Sequence, residues 1–210
     1  MKRYALLYVA AILINLYGCA GLLNNNIRSE EPRLRVINVC ILNDKDNPAD
    51  KNIIRRITTN VFREYEERVG IRFTVTRLVI FDGEADAWTI ELGPLVKRAC
   101  PDTTEIRMIF TNKRIFFESE DGKKLERAGD SQEYFGFLIV YNVAERVLFS
   151  DEGGNPALET TLKHEIGHLF GFGHTSDKES FMFVPGNKSY AKWTDEVIRL
   201  IRKNKWRVWH

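Results

Sequence analysis

The chain has 210 residues, with 31 lysines and arginines against 29 aspartates and glutamates, and a formal net charge of +2. This length fits one domain, or one domain in two lobes, and the 44% of hydrophobic residues exclude a disordered, collagen-like or low-complexity protein. The near balance of charge gives no reason to expect charge-driven binding to nucleic acid, and three cysteines are too few for a disulfide scaffold.

The first predicted element is an export signal at the N terminus. Lys2 and Arg3 precede an apolar run over residues 4–16, which is shorter than the ~20 residues of a transmembrane helix. That length suits the apolar core of a secretory signal, which has about 7–15 residues. Residues 16–19, Leu-Tyr-Gly-Cys, resemble the lipobox of bacterial lipoproteins. The resemblance implies cleavage before Cys19 and attachment of lipid to that cysteine.

These features divide the chain into a lipoprotein signal peptide (1–18), a lipid-anchored cysteine with a flexible tether (19–33) and a folded domain (34–210). The alternative is an ordinary signal peptide or an uncleaved anchor. Cleavage would remove two basic residues and no acidic one, which leaves 29 of each in the mature chain. The expected location is the bacterial cell envelope. Ala20 stands where lipoproteins that stay at the inner membrane often have aspartate, so the outer membrane is expected where the cell has one.

Behind the tether, the pattern of apolar residues predicts a strand, a helix, several strands and then helices. Residues 34–42 predict a strand, and the four-residue spacing from Ile53 onward predicts an amphipathic helix over 50–69 that ends at Gly70. The other predicted elements are strands at 71–81, 105–111 (with 116–117 as a short continuation), 136–141 and 146–149, a helix within 86–99 interrupted near Gly93-Pro94, a charged exposed loop at 118–133, and a helix that opens at Pro156 after Asn155. This order indicates an α+β fold and not a nucleotide-binding alternation.

The strongest chemical signal is the eleven-residue sequence HEIGHLFGFGH, which begins at His164. His164 and His168 are four residues apart, so they share one face of a helix. Neutral imidazole suits Zn²⁺, and Glu165 stands where it can take a proton from a metal-bound water. Gly171 can adopt a positive φ, so a sharp turn can return His174 to the same ion. A fourth position is then left for water, as in catalytic zinc sites.

This window resembles the signature of the metzincin zinc peptidases, H-E-x-x-H-x-x-G-x-x-H followed by a methionine turn, and is closest to the matrixin branch. Thr175 fits the Ser/Thr of that branch, and Met182 follows the third histidine by eight residues. The resemblance implies a zincin-type α+β domain with a mixed twisted sheet, two long helices, a Met-turn and a C-terminal helix over 193–203. It also implies that Met182 is a hydrophobic floor beneath the zinc and that Pro185 and Tyr190 line the substrate pocket.

The same resemblance extends upstream of the zinc helix. Residues 105–110 resemble the third strand of the family, and 147–153 its last strand before the zinc helix. Residues 136–141 fall where the family has its antiparallel cleft-edge strand, with which an extended substrate can pair. The family's segment for a structural zinc and calcium is not found, so one catalytic zinc is expected and calcium stays open. The stretch 82–103 is longer than the corresponding connection, and no cysteine-switch propeptide is present.

Two cysteines remain if Cys19 carries lipid. In the family sheet the first and third strands are neighbours, and Cys100 shortly precedes the third strand. A Cys40–Cys100 disulfide is therefore one alternative in an oxidising envelope, and two buried free thiols are the other.

The predicted function is a zinc-dependent endopeptidase, in which a metal-bound water attacks the peptide bond and Glu165 acts as general base and then as general acid. The expected partners are a protein or peptide substrate and a membrane, held through the N-terminal lipid, with no nucleic acid and a monomeric state. The alternative is a non-catalytic binding or adhesion lipoprotein that keeps the zinc site as a scaffold. Substrate and cleavage-site preference stay open.

Overall fold

A computed structural model describes residues 33–82, 92–118, 122–146, 148, 157–183 and 192–209. The strands are β1 (Arg35–Asp44), β2 (Ile71–Phe81), β3 (Ile106–Phe110), β4 (Ile115–Glu118), β5 (Lys124–Arg127), β6 (Gly129–Gln132) and β7 (Phe137–Val140). The helices are α1 (Lys51–Val69), α2 (Leu92–Ala99), α3 (Val143–Arg146), α4 (Ala157–Leu169) and α5 (Asp195–Asn204). Within these ranges no helix combines the length and the apolar character needed to cross a membrane.

Helix α1 shows how local sequence sets the ends of an element. The carboxylate of Asp50 accepts hydrogen bonds from the backbone N–H groups of Asn52 (2.6 Å) and Ile53 (3.3 Å), which satisfies donors that lack a partner inside the helix. At the other end Gly70 adopts φ 71°, and its N–H donates to the carbonyl of Glu66 at 3.1 Å. The helix predicted over 50–69 and its stop at Gly70 are confirmed.

The main sheet has five strands in the order β2-β1-β3-β7-β6. The first four of these lie parallel to their neighbours, and β6 pairs antiparallel with β7 at one edge. Strands β4 and β5 form a separate two-stranded antiparallel sheet, which is a hairpin. The predicted α+β class with a mixed sheet is confirmed.

The core lies on both faces of this sheet because alternate residues of the central strands point to opposite sides. In β1, Val39 and Ile41 belong to a cluster with helices α1, α4 and α5, while Cys40 and Leu42 belong to a second cluster with α2. The first cluster is much the larger, so the face that carries α4 is the main hydrophobic core. Helix α4 is thereby held rigidly against the sheet.

A disulfide joins Cys40 of β1 to Cys100 after α2, with 5.9 Å between the Cα atoms. Strand β1 is flanked by β2 and β3, so Cys40 lies near the middle of the sheet, on the face away from α4. Of the two alternatives for these cysteines, the structure has the disulfide.

The structure corrects the predictions for the part of the chain between β3 and α4. Residues 116–117 do not continue β3 but belong to the separate hairpin. Residues 118–133 are not one loop, since they contain β5 and β6. The antiparallel edge strand is β6, and residues 137–140 form the parallel strand β7 instead. Strand β6 was missed because its sequence, Gly-Asp-Ser-Gln, does not alternate apolar and polar residues. An edge strand that faces a cleft buries few side chains, so it needs no such alternation.

Two further predictions were wrong in detail. Of the predicted strand at 146–149, Arg146 ends helix α3 and Leu148 lies in a turn, so neither residue is in a strand, while 147 and 149 lie outside the described residues. Gly93 and Pro94 do not interrupt the predicted helix but lie in the first turn of α2, where proline is tolerated because its missing N–H has no helical partner. Pro156 and the turn before it lie outside the described residues.

Candidate metal centre

Helix α4 is fixed to α1 and to the C-terminal segment by a buried polar cluster. The ammonium group of Lys163 lies 2.7 Å from the carboxylate of Glu64, which also accepts a 2.6 Å hydrogen bond from the indole N–H of Trp193. The hydroxyl of Tyr65 donates to the backbone carbonyl of Lys163 at 2.9 Å. These bonds lie beside the first residue of the HEIGH sequence and fix the helix that presents it.

The chain reverses direction directly after α4, as the sequence predicts. Gly171 adopts φ 78°, and the N–H of Phe172 donates back to the carbonyl of Gly167 at 3.2 Å. The reversal brings His174 to the histidines of the helix. Ring centroids are 4.6 Å apart for His164 and His168, 5.2 Å for His164 and His174, and 4.9 Å for His168 and His174.

The three histidines offer ligand nitrogens that all lie within 4.8 Å of one another. Nδ1 of His164 contacts the carbonyl of Phe181 at 2.8 Å, and Nδ1 of His168 contacts the carbonyl of Phe172 at 2.7 Å. A carbonyl oxygen only accepts, so both Nδ1 atoms carry the proton and both Nε2 atoms keep a lone pair for a metal. These Nε2 atoms are 3.0 Å apart. The donor set therefore fits a zinc ion with three imidazole ligands.

The environment of the histidines favours the neutral, metal-binding form. Burial lowers the pKa of His164 to about 4, and the neighbouring His168 adds to this effect. Burial likewise lowers the pKa of His168. Both rings are therefore neutral at physiological pH, and protons compete little with a metal ion.

Glu165 lies in the same cleft as the histidines, pressed against strand β6. Its side chain is 6% exposed, and burial raises its pKa to about 8. A hydrogen bond from Ser131 opposes that rise. A Cβ at Gly129 would stand 2.7 Å from both Cγ and Oε1 of Glu165, so the carboxylate approaches the backbone of β6 in a way that only glycine permits there.

Met182 lies fully buried beneath α4, on the side of Gly167. A Cβ at Gly167 would overlap the Met182 sulfur, so the absence of a side chain there lets this methionine pack against the helix. The backbone of the same turn supplies the Phe181 carbonyl that accepts the hydrogen bond from Nδ1 of His164. The N–H of Met182 donates a 3.1 Å hydrogen bond to the hydroxyl of Ser180. Met182 therefore packs against helix α4 at Gly167, the residue before His168.

A cleft of about 800 Å³ runs past the histidines and Glu165. Its lining comes from β6 and the β4–β5 hairpin and from α4 and the Phe181–Phe183 turn. Sequence analysis missed the lining residues of β6 and the hairpin, which include Phe117, Leu125, Arg127, Gly129 and Ser131. The available signal was the aromatic pair Phe116-Phe117, which the prediction assigned to a continuation of β3.

Three of the predicted site residues, Cys19, Pro185 and Tyr190, lie outside the described residues. Elsewhere in the described ranges, no other group of three or more histidine, cysteine, aspartate or glutamate side chains is arranged to hold a metal. Asp151 and Glu152, two further acidic residues that could contribute to a cation site, also lie outside the described residues.

The fold is similar to that of several solved zinc peptidases. Archaemetzincin from Methanopyrus kandleri has a TM-score of 0.57 at 18% identity, over 85% of this chain and 98% of that one. A zinc-dependent peptidase from Methanocorpusculum labreanum has a TM-score of 0.51 at 15% identity, over 78% of this chain and 99% of that one. Metalloproteinase-II from Bacteroides fragilis has a TM-score of 0.52 at 12% identity, over 86% of this chain and 58% of that one. No protein-family profile and no curated protein matches the sequence. The chain therefore has the fold of these metallopeptidases.

Proposed function

We propose that this protein is a zinc-dependent endopeptidase, with His164, His168 and His174 as ligands of one zinc ion. The observation that carries the proposal is the convergence of three imidazoles beside Glu165 in a single cleft. The metallopeptidase fold supports it. Bound zinc would lower the pKa of a water molecule and polarise the carbonyl of a peptide bond.

In this proposal Glu165 transfers a proton from the attacking water to the leaving group. Its carboxylate accepts a proton from the attacking water and delivers it to the nitrogen of the leaving amine as the peptide bond breaks. Burial raises the pKa of this carboxyl to about 8 in the metal-free protein, and the positive charge of a bound zinc ion would lower that pKa and favour the carboxylate that accepts the proton. Gly129 and Ser131 of β6 contact the carboxylate. Within the described residues β6 is the outer strand of the sheet, where an extended peptide could pair with it.

Within the zinc peptidases, the spacing of Thr175 and Met182 supports a matrixin-like site. Met182 would form its hydrophobic floor, as its buried position under Gly167 suggests. Pro185 and Tyr190 would line the substrate pocket. One zinc ion is expected, and a calcium site is left open.

The N-terminal sequence supports a lipid-anchored protein of the bacterial cell envelope, with residues 1–18 removed, Cys19 lipidated and residues 19–33 as tether. In a cell with two membranes, the outer one is expected. Expression in a bacterial host with radiolabelled palmitate tests this proposal. Label should follow the wild type into the membrane fraction and be absent from Cys19→Ala; equal labelling of the two would contradict it.

The enzymatic proposal is tested by hydrolysis of casein and a peptide library with the zinc-loaded protein. Hydrolysis should stop in Glu165→Ala and in the presence of a chelator, and a hydroxamate should inhibit the wild type. If the zinc-loaded wild type cleaves nothing that the alanine variant leaves intact, the proposal is wrong. A non-catalytic scaffold with a blocked fourth position would bind zinc and ignore the hydroxamate.

A further inference from the structure

The β4–β5 hairpin presents two large apolar side chains to the cleft. Phe117 and Leu125 are direct cross-strand partners, so they share one face of the hairpin. They are 40% and 38% exposed, and both line the cleft that contains the histidines and Glu165. Single exposed apolar residues are common on proteins, but a paired set directed into a cleft forms a surface that a ligand can cover.

Side-chain and backbone contacts attach the hairpin to the edge strand β6, so its position beside the cleft is fixed. The guanidinium group of Arg127 stacks over the ring of Phe117 at 5.3 Å and forms an ion pair with Asp130 of β6. Only Ala128 separates β5 from β6, and its carbonyl accepts a 2.9 Å hydrogen bond from the N–H of Tyr141, just after β7. The apolar pair therefore stands at a fixed position relative to Glu165, which β6 also contacts.

The cleft is also lined by uncharged residues, which are Ala157, Thr160 and Thr161 on the first turns of α4 and Phe181 and Phe183 from the turn that contains Met182. A substrate side chain that contacts these residues and the hairpin pair would meet methyl groups and aromatic rings. Burial of a large aliphatic or aromatic side chain against such surface is favourable, while a charged group would lose hydration there without a counter-ion.

Apart from Glu165, the acidic and basic residues that line the cleft form ion pairs. Arg127 is paired with Asp130, and Glu126 lies 3.0 Å from Arg114 and 3.8 Å from Arg146. Glu133 forms an ion pair with Arg207. A charged substrate side chain would have to displace one of these pairs, so electrostatics favours an uncharged side chain beside Phe117.

We propose that Phe117 and Leu125 form, with the first turns of α4, a specificity subsite for a large apolar side chain of a peptide substrate. This inference rests on the proposed peptidase function, and it names leucine-, methionine- or phenylalanine-like side chains near the scissile bond as the preferred class. The hairpin, rather than the zinc helix alone, decides which peptides are cleaved efficiently.

The hairpin offers a matched control beside the test residue. Phe116 is 43% exposed on the adjacent position of β4, but it contacts Arg114 and Lys124 and does not line the cleft. The experiment digests a diverse peptide library with zinc-loaded wild type, Phe117→Ala, Leu125→Ala and Phe116→Ala, and identifies the residues that flank each cleaved bond by mass spectrometry. Apolar pockets of this kind discriminate substrates by about 10-fold to 200-fold.

We expect the wild type and Phe116→Ala to favour large apolar residues at one position near the cleaved bond. Phe117→Ala and Leu125→Ala should lower that preference about 10-fold, with cleavage of peptides that carry alanine at that position nearly unchanged. Unaltered profiles in both cleft-facing variants would overturn the proposal, as would a wild-type preference for charged or small residues.

Peptide binding to Glu165→Ala separates this inference from the catalytic one, because binding needs no hydrolysis. A leucine-containing peptide should bind tighter than its alanine analogue, and adding Phe117→Ala should remove the difference. If no protein variant hydrolyses peptide but this difference persists, the catalytic function fails and the subsite stands. If peptides are hydrolysed and the difference is absent, the subsite fails and the catalytic function stands.

Discussion

His174 is the exposed member of the three histidines, while His164 is buried and hydrogen-bonded to the backbone. Removal of His174 therefore tests metal binding with little damage to the fold, since surface substitutions usually change stability by less than about 0.5 kcal/mol. In the wild type, excess zinc should raise the melting temperature by mass action. His174→Ala should melt like the wild type without metal and lose most of the zinc-induced rise.

Differential scanning calorimetry measures this effect, and magnesium is the matched ion control because it prefers oxygen ligands. A zinc-induced rise in His174→Ala as large as in the wild type would show that the third histidine is no ligand.

The buried carboxyl of Glu165 makes a prediction about pH. Its pKa is about 8 in the folded, metal-free protein, whereas the ordinary value for an exposed glutamate is 4.5. The folded state therefore binds more protons than the unfolded state between these values, so the stability that the protonated carboxyl contributes is lost as pH rises from about 4.5 to about 8. Glutamine resembles the protonated carboxyl at every pH.

We thus expect metal-free Glu165→Gln to be more stable than the wild type by on the order of 3 kcal/mol at pH 7. The difference should vanish near pH 4, where both states of the wild type are protonated. The lowered pKa of His164 has the opposite effect, with stability lost as pH falls from 6.5 toward about 4, but it acts equally in both proteins. Urea denaturation at several pH values measures the difference; a constant difference across pH would contradict the burial argument.

At the scale of elements, strand β6 and helix α4 meet at the point where Glu165 packs against Gly129. A Cβ at that glycine would overlap the carboxylate and displace it toward the cleft. Misplacement of a catalytic group by about 1 Å can cost 10²-fold in rate. Gly129→Ala should therefore lower kcat about 10²-fold, while zinc still raises the melting temperature, because the histidines do not contact β6 through this glycine.

The matched control for this prediction is Gly173→Ala, since a Cβ at Gly173 meets no atom within 4 Å. Steady-state hydrolysis of one library peptide supplies kcat and KM for both variants. If Gly129→Ala keeps the wild-type kcat, β6 does not position the carboxylate.

At the scale of the whole molecule, the Cys40–Cys100 disulfide joins positions 60 residues apart. A crosslink over such a loop restricts the unfolded chain and is expected to stabilise the fold by about 4 kcal/mol. The bridge lies on the sheet face away from α4, so its loss should leave the zinc-induced rise in melting temperature intact. Denaturant titration of Cys40→Ser/Cys100→Ser against the wild type, each with and without reductant, measures the cost.

The double variant should unfold at lower denaturant and be insensitive to reductant, whereas the wild type should lose stability when it is reduced. Equal midpoints for oxidised wild type and double variant would show that the bridge adds no stability.

Much of the fold followed from local sequence. The periodicity of α1, the N-cap at Asp50 and the stop at Gly70 are short-range features, because a helix is stabilised by contacts between residues three or four apart. The same locality explains why the histidine cluster was recognised: His164 and His168 share a helix face, and Gly171 supports the turn that returns His174.

The cleft wall could not be predicted in this way. Strand β6 has no apolar periodicity, and its position depends on pairing with β7, which depends in turn on the parallel pairing of β7 with β3. The choice between a disulfide and two thiols likewise depends on the distance between β1 and the end of α2. These features arise from contacts between distant parts of the chain, whose geometry no local pattern encodes.

The sequence by itself therefore determined the metal-binding chemistry, since ligand type and spacing within one helix and one turn are local. Only the tertiary structure decided what surrounds that chemistry: the seat of Glu165 on β6, the buried Met182 under Gly167 and the apolar hairpin beside the cleft. The physical reason is that a substrate cleft lies between elements that are far apart in the chain, and its shape exists only once those elements have packed.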